Sequence, residues 1–296
     1  MTLLWATLMV SLFVYALYQL LNIPKRKKFP PSSTGFPILG HLHLLAGKNP
    51  HEDLQKLVKK HGPIMYVRLG LVPTIIASSA DAAEKVLKTY DHIFASRPHH
   101  EASQYLSYGQ KNMAFAKYGV YWRNMRKLCT LHLLSNRKIN SFQSMRKQEV
   151  QSGEAEFQFD PAMDTTASST EWILTELLRH PQVMKKLQKE LQEVVGFEIM
   201  VEESNLENLN RRTVATIDFR GRDFQLVPFG SGRRSCPGMQ LAATVVRLMV
   251  AQLVHCFEWE LPNGMQPCDL DIDEKFGLVT CREMPLLAIP TYRLKK

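Results

Sequence analysis

The sequence predicts a mainly α-helical protein with a minor β-sheet, carried behind an N-terminal transmembrane helix. Three observations predict it: an uncharged apolar run at the amino terminus, a succession of helical patterns interrupted by one hairpin pattern, and a glycine-rich loop feeding a long apolar helix. Of 296 residues, 45% are hydrophobic and 22% charged, with 15 Gly and 16 Pro, so disordered, collagenous and low-complexity architectures are excluded. The length suits one large domain or two ordinary ones, with a core that needs no staples.

Leu3–Leu21 carries no charge, and only Thr7, Ser11 and Gln19 interrupt it with clearly polar groups. As a helix it reaches about 28 Å, close to the hydrocarbon thickness of a bilayer. A cleaved signal peptide would place its basic residues before a shorter run, whereas here Lys25-Arg26-Lys27-Lys28 follows it. The positive-inside rule keeps that cluster and the body cytosolic. Pro30-Pro31 and Gly35-Phe36-Pro37 then make a stiff, non-helical hinge. Residues 1–23 thus read as anchor, 24–40 as hinge and 41–296 as the globular part.

Residues 51–61 form an amphipathic helix, 64–69 and 73–78 a hairpin around Gly70, and 80–90 and 120–134 two further helices. Asp160-Pro161 caps and opens a helix that runs to Pro181, and residues 182–195 make a charged helix stopped by Gly196. Residues 223–229 lead into the glycine-rich loop, and 238–255 form an apolar helix expected to be buried.

The charge is uneven. Residues 1–150 hold 21 Lys and Arg against 7 Asp and Glu, within a net charge of +9 for the chain. A basic half facing lipid head groups or an acidic partner accounts for this, as does a plain solvated face. Nucleic acid is not supported, since no recognition motif accompanies the charge. The odd set Cys129, Cys236, Cys256, Cys268 and Cys281 contains no CxxC, which argues against a disulfide framework or zinc ribbon. Gly40–Lys48 lacks P-loop spacing, and neither H-E-x-x-H nor G-x-S-x-G occurs.

The chemistry concentrates in Phe229-Gly230-Ser231-Gly232-Arg233-Arg234-Ser235-Cys236-Pro237-Gly238. Pro237 is expected in the first turn of the following helix, which puts Cys236 at a positive helix end beside two arginines, a setting that favours a thiolate. Glycines 230, 232 and 238 let a flat ligand approach the backbone. One thiolate cannot close a zinc site but suits an axial position on iron already held by a porphyrin, with Arg234 open to a propionate.

These residues resemble the haem-binding signature of the cytochrome P-450 family, F-x-x-G-x-R-x-C-x-G, at Phe229, Gly232, Arg234, Cys236 and Gly238. Phe94-Ala95-Ser96-Arg97-Pro98 is similar to the family's F-x-x-R-P segment. Trp122 to Arg126 is similar to its W-x-x-x-R helix, although that spacing alone is also that of any amphipathic helix. Ala162-Met163-Asp164-Thr165-Thr166 resembles the oxygen-activation motif, while by residue type it reads equally as a capped helix start. The resemblance implies haem b, an iron with Cys236 as axial ligand, propionate contacts from Trp122, Arg126 and Arg234, and a proton relay through Asp164 and Thr165. It also implies a microsomal, plant-type monooxygenase in the endoplasmic reticulum membrane, acting on a small organic substrate with an NADPH-dependent flavoprotein reductase.

The pattern is incomplete. Pro161 cannot continue a helix from the residues before it, and the family's middle helices find no counterpart near 150–161. Near 209–218 the E-x-x-R helix and the meander are missing, and Glu176–Arg179 reads as an ordinary i, i+3 surface pair. The expected fold is therefore an incomplete cytochrome P-450 domain, and a non-catalytic, membrane-tethered remnant with weak or no haem binding is the alternative.

Overall fold

The computed structural model describes residues 2–21, 29–152, 161–209, 219–277 and 279–294. The chain divides into two units, Met1–Thr89 and Tyr90–Lys296. The described residues are mainly helical, with three two-stranded antiparallel sheets.

In the first unit, α1 (Thr2–Leu21) covers the apolar run, and Trp5, Phe13 and Tyr18 on it stay 60% or more exposed. The basic cluster Lys25–Lys28 lies outside the described residues. Helix α2 (Pro50–His61) starts on proline at its first position and carries Glu52 and Asp53 in its first turn, both suited to a helix N-terminus. Strands β1 (Ile64–Leu69) and β2 (Val72–Ala77) pair with Ile64 opposite Ala77 and Leu69 opposite Val72. That register leaves a two-residue turn in which Gly70 takes a left-handed φ of 62°, the conformation such hairpins demand. Helix α3 (Ala80–Glu84), capped by the Ser79 hydroxyl, continues through a π-helical turn to Thr89.

The part of the hinge from residue 29 onward folds back on this hairpin. The buried His41 accepts from the Arg68 N–H through Nδ1 at 2.8 Å, and Arg68 Nη2 donates to Phe36 O and Pro37 O at 2.5 and 2.6 Å. Gly40, at φ 60°, touches the Arg68 carbonyl so closely that any Cβ there would collide with it.

The second unit opens with short helices: α4 (Asp91–Phe94), α5 (Glu101–Leu106), α6 (Val120–Leu128), α7 (Asn136–Ser141) and α8 (Gln143–Ser152). Three longer ones build the core: α9 (Pro161–Arg179), α10 (Pro181–Val195) and, after the short α11 (Glu203–Leu209), α12 (Met239–Cys256). Leu174, Leu177 and Leu178 of α9 meet Met184 and Leu191 of α10 and Ala251 and Val254 of α12 in one cluster. Strands β3 (Phe257–Glu260), β4 (Glu274–Lys275), β5 (Cys281–Arg282) and β6 (Ile289–Tyr292) follow, β3 pairing with β6 and β4 with β5.

Two expectations change. The apolar α12 is buried only in its second half, from Leu248 to Cys256, because α9 and α10 pack there while its first turns stay partly open. The helix also begins at Met239 rather than at Pro237, since Pro237-Gly238 form a turn and Gly238 accepts the first helical bond from Ala242 N at 2.9 Å. Glu176 and Arg179 form the expected i, i+3 surface pair, at 3.0 Å.

Leu191 is fully buried in the core cluster, so Leu191→Ala leaves a cavity and lowers unfolding free energy by about 3 kcal/mol, readable in a urea titration. His255, buried on α12, donates from Nε2 to Ile199 O at 3.1 Å. Burial holds its imidazole below the ordinary value of 6.5, against the raising effect of that hydrogen bond. The unfolded state then binds the extra proton, so stability falls as pH drops below about 6.5 and is full above it. Thermal midpoints measured from pH 7.5 to 5.5 decline more steeply in the native chain than in His255→Gln.

Candidate functional site

The Phe229–Gly238 loop closes on itself through three backbone bonds: Gly230 N to Val227 O (2.9 Å), Ser235 N to Gly232 O (3.1 Å) and Cys236 N to Phe229 O (2.8 Å). Gly230 and Gly232 sit at φ 64° and 68°, so these two glycines serve the backbone path. Gly238 is the N-cap of the helix and lies beside the sulfur: a Cβ there would be in ordinary contact with Cys236 Sγ at 3.9 Å. The Cys236 side chain is half-buried, and Phe229 packs edge-on to Phe219 at 6.5 Å. With the helix starting at Met239, Cys236 stands two residues ahead of its N-cap Gly238, beside the positive end of the helix. Side chains add to that positive setting.

Arg126 is the cation that interacts with the charge of Cys236, and Arg234 ties the loop to the chain around it. Its Nε donates to Ala95 O at 2.8 Å, Nη1 to Met113 O at 3.2 Å and Nη2 to Ala116 O at 2.5 Å, and its guanidinium lies 4.2 Å from the Trp122 ring. Of its five N–H groups, those bonds use three. Arg234 was expected to be open to an anionic ligand; instead most of its donors brace the polypeptide. Trp122, buried on α6, likewise gives its indole N–H to Met113 O at 2.9 Å and presents a ring face rather than a donor. One turn on, Arg126 lies 5.5 Å from the same ring and donates from Nη2 to Ser235 Oγ at 3.1 Å.

These groups border a cavity of about 570 Å³. Arg97, Arg126 and Arg234 line it together with Trp122, Phe115 and Pro237, and no lining residue is acidic. Burial pushes the Arg234 guanidinium below its ordinary value, and the charges of Arg97 and Arg126 add to that. Burial lowers Arg126 as well, opposed by the charge of Cys236. A partly open cluster of cations beside aromatic and apolar walls fits a flat apolar ring system that carries carboxylates, so the residues present suit a porphyrin with propionates.

Trp122, Arg126, Phe229, Gly232, Arg234, Cys236 and Gly238 are thus gathered around one loop and one cavity. Thr165 on α9 is exposed and lines no part of the cavity, and the Asp164 side chain lies outside the described residues. Sequence reasoning assigned no role to Arg97 or to His100, which also lines the cavity. The F-x-x-R-P match held the signal for Arg97; nothing in the sequence marked His100.

A sequence model of the family described as Cytochrome P450 matches residues 30–158, 158–215 and 209–286. Among curated proteins, the chain is 32% identical to cytochrome P450 CYP736A12 of Panax ginseng over 475 aligned positions, covering 92% of this chain and 95% of that protein. It is 25% identical to cytochrome P450 71D8 of Glycine max (96% and 98% covered) and 25% identical to a 3-beta-hydroxylase of Tanacetum parthenium (90% and 93% covered). The aligned lengths exceed the 296 residues of the chain, so each alignment crosses long stretches of the relative that have no counterpart here. Members of the matched family bind haem b iron through a cysteine thiolate, use a redox partner and oxidise small organic substrates. On the signature loop, the arginine-lined cavity and these matches together, the chain belongs to the cytochrome P450 family of haem-thiolate monooxygenases.

Proposed function

We propose that Cys236 is the axial ligand of a haem b seated in the arginine-lined cavity, in a monooxygenase that inserts one oxygen atom from O₂ into a small organic substrate. The observation that carries this reading is the convergence of three arginines, with no acid, on a cavity beside the one cysteine loop of the family signature. When bound, haem supplies the iron centre at which dioxygen is activated. The chain's own groups do the rest. Arg97 and Arg126 offer charge-assisted hydrogen bonds to the propionates, and the remaining N–H groups of Arg234 add to them. The Trp122 ring walls the cavity, Gly232 gives the loop its left-handed bend, and Gly238 caps the helix that follows the sulfur. The resemblance to the family's oxygen-activation motif gives Asp164 and Thr165 the role of a proton relay, although Thr165 does not line the cavity.

Electrons come from an NADPH-dependent flavoprotein reductase, for which the basic N-terminal half offers a complementary surface; the same charge suits lipid head groups. Helix α1 anchors the chain as a single pass in the endoplasmic reticulum membrane with the globular part cytosolic.

A second reading rests on its own observation. The family matches meet at 158 and overlap at 209–215, near the two places where the sequence lacks the family's middle helices and its E-x-x-R region. A chain without those segments is a membrane-tethered remnant that holds haem weakly and does not turn over, because support of the ligand loop is reduced and apolar faces lack their cover. Tyr105, Leu106 and Tyr108, each more than 80% exposed, are such a bare face.

Expression with haem supplementation, followed by the reduced, CO-bound difference spectrum, tests the ligand. A substoichiometric thiolate-type Soret band is expected, and Cys236→Ser abolishes it; a band that survives the substitution removes Cys236 from the role. Oxygen-dependent product formation in reconstituted membranes separates the enzyme from the remnant. Arg234→Gln takes its donors from Ala95 O and Ala116 O and leaves Met113 O with the Trp122 indole alone, which costs about 2 to 3 kcal/mol of stability, seen in denaturant unfolding, and Arg234→Lys does not restore it because one ammonium cannot span the three carbonyls.

A further inference from the structure

The residue beside Arg234 points the other way and makes a separate set of contacts. Arg233 Nε lies 2.9 Å from Asp91 Oδ2, and its Nη1 donates to Tyr118 Oη at 2.7 Å. Its guanidinium also sits over the Tyr118 ring at 5.4 Å, and that ring packs 5.6 Å from Trp122. Asp91 is the first residue of α4, four positions before Ala95, whose carbonyl Arg234 holds. Tyr118 stands two positions beyond Ala116, the other end of the Arg234 clamp. Two consecutive arginines therefore tie the Cys236 loop to the same two stretches of chain, one through backbone carbonyls and one through side chains.

We propose that Asp91 and Tyr118 are positioning residues for the Cys236 loop, acting through Arg233 as a side-chain brace where the family's E-x-x-R region is missing. The Asp91–Arg233 pair and the Tyr118 hydroxyl fix the direction in which the 3₁₀ turn Gly232–Arg234 leaves the glycine bend, and that turn sets where Cys236 Sγ comes to rest. A loop with two left-handed glycines has many other paths open to it. Restricting them is the brace's work. The hydrogen bond and charge of Asp91 hold Arg233 above its ordinary pKa, with Tyr118 adding to the effect, so the guanidinium is charged at any working pH. For the thiolate role the proposal rests on the assignment of Cys236 as ligand; for the geometry of the loop it does not.

The test uses the full chain in detergent micelles and reads the loop without haem. Alkylation of Cys236 by iodoacetamide is followed by peptide mass spectrometry, with the exposed Cys268 as internal reference. Asp91→Asn and Arg233→Gln are expected to raise the Cys236 rate relative to Cys268 roughly two- to five-fold, the scale of one partly exposed ion pair. Tyr118→Phe gives a smaller rise, and Asp91→Glu returns the rate toward that of the native chain. The double variant Asp91→Asn/Arg233→Gln is no faster than either single one, because both remove one brace. Rates unchanged in Asp91→Asn, or additive in the double variant, overturn the proposal. If Asp91→Asn speeds Cys268 equally, the fold as a whole has loosened and Tyr118→Phe decides: a rise confined to Cys236 supports the brace, and no rise overturns it. In the haem-loaded chain the same variants shift intensity out of the thiolate-type Soret band. A native chain whose band survives Cys236→Ser defeats the ligand assignment while the alkylation result still judges the brace.

Discussion

The placement of the cysteine loop depends on one guanidinium shared among three backbone carbonyls. The backbone bonds of the loop itself are short-range, each closing a turn within it, so side chains have to tie it to the rest of the fold. Arg234 supplies that tie by reaching Ala95, Met113 and Ala116 at once. A planar fork with donors on both edges can do this, and a flexible ammonium cannot. Trp122 completes the arrangement by donating to one of the same carbonyls while its ring lies against the fork. Ala95, Met113 and Ala116, the stretches on either side of the cavity lining, are drawn together by this knot.

The same knot concentrates positive charge. Arg97, Arg126 and Arg234 border one cavity without an acidic neighbour in its lining, and burial already works against the charged form of two of them. Such a cluster opposes folding unless something anionic offsets it, which is a common arrangement where a protein is shaped for a ligand rather than for its own stability. The acidic residues of the chain do not line this cavity, which leaves its cations open to an anionic ligand.

What was legible in the sequence follows from which signals side chains carry. The hairpin of β1 and β2 and the helices α2, α9 and α10 announce themselves through periodicity, a proline at the first helical position, or a glycine at the turn. The cysteine loop is legible because five spaced residue types define it. The partners of Arg234 are not, because a carbonyl is the same on every residue and alanine or methionine gives no hint of supplying one. Pro237 misled for a related reason: proline favours the first helical turn, but followed by Gly238 it makes a turn of its own, and the helix waits until Met239. The apolar character of α12 was visible, yet which half faces its neighbours was decided by α9 and α10. The Asp91–Arg233 contact joins positions 142 apart in the chain and had no sequence signal at all.

Helix α12 carries one more consequence. It is as long and apolar as a bilayer span, yet its Ala251 and Val254 sit in the core against two other helices. By length and hydropathy alone α12 passes for a membrane span, the one such helix among the described residues, although protein covers part of it. What distinguishes it from a span is the pair of helices α9 and α10, which cover its second half. Both lie upstream of α12, so the surface it packs against is synthesised before the apolar segment itself.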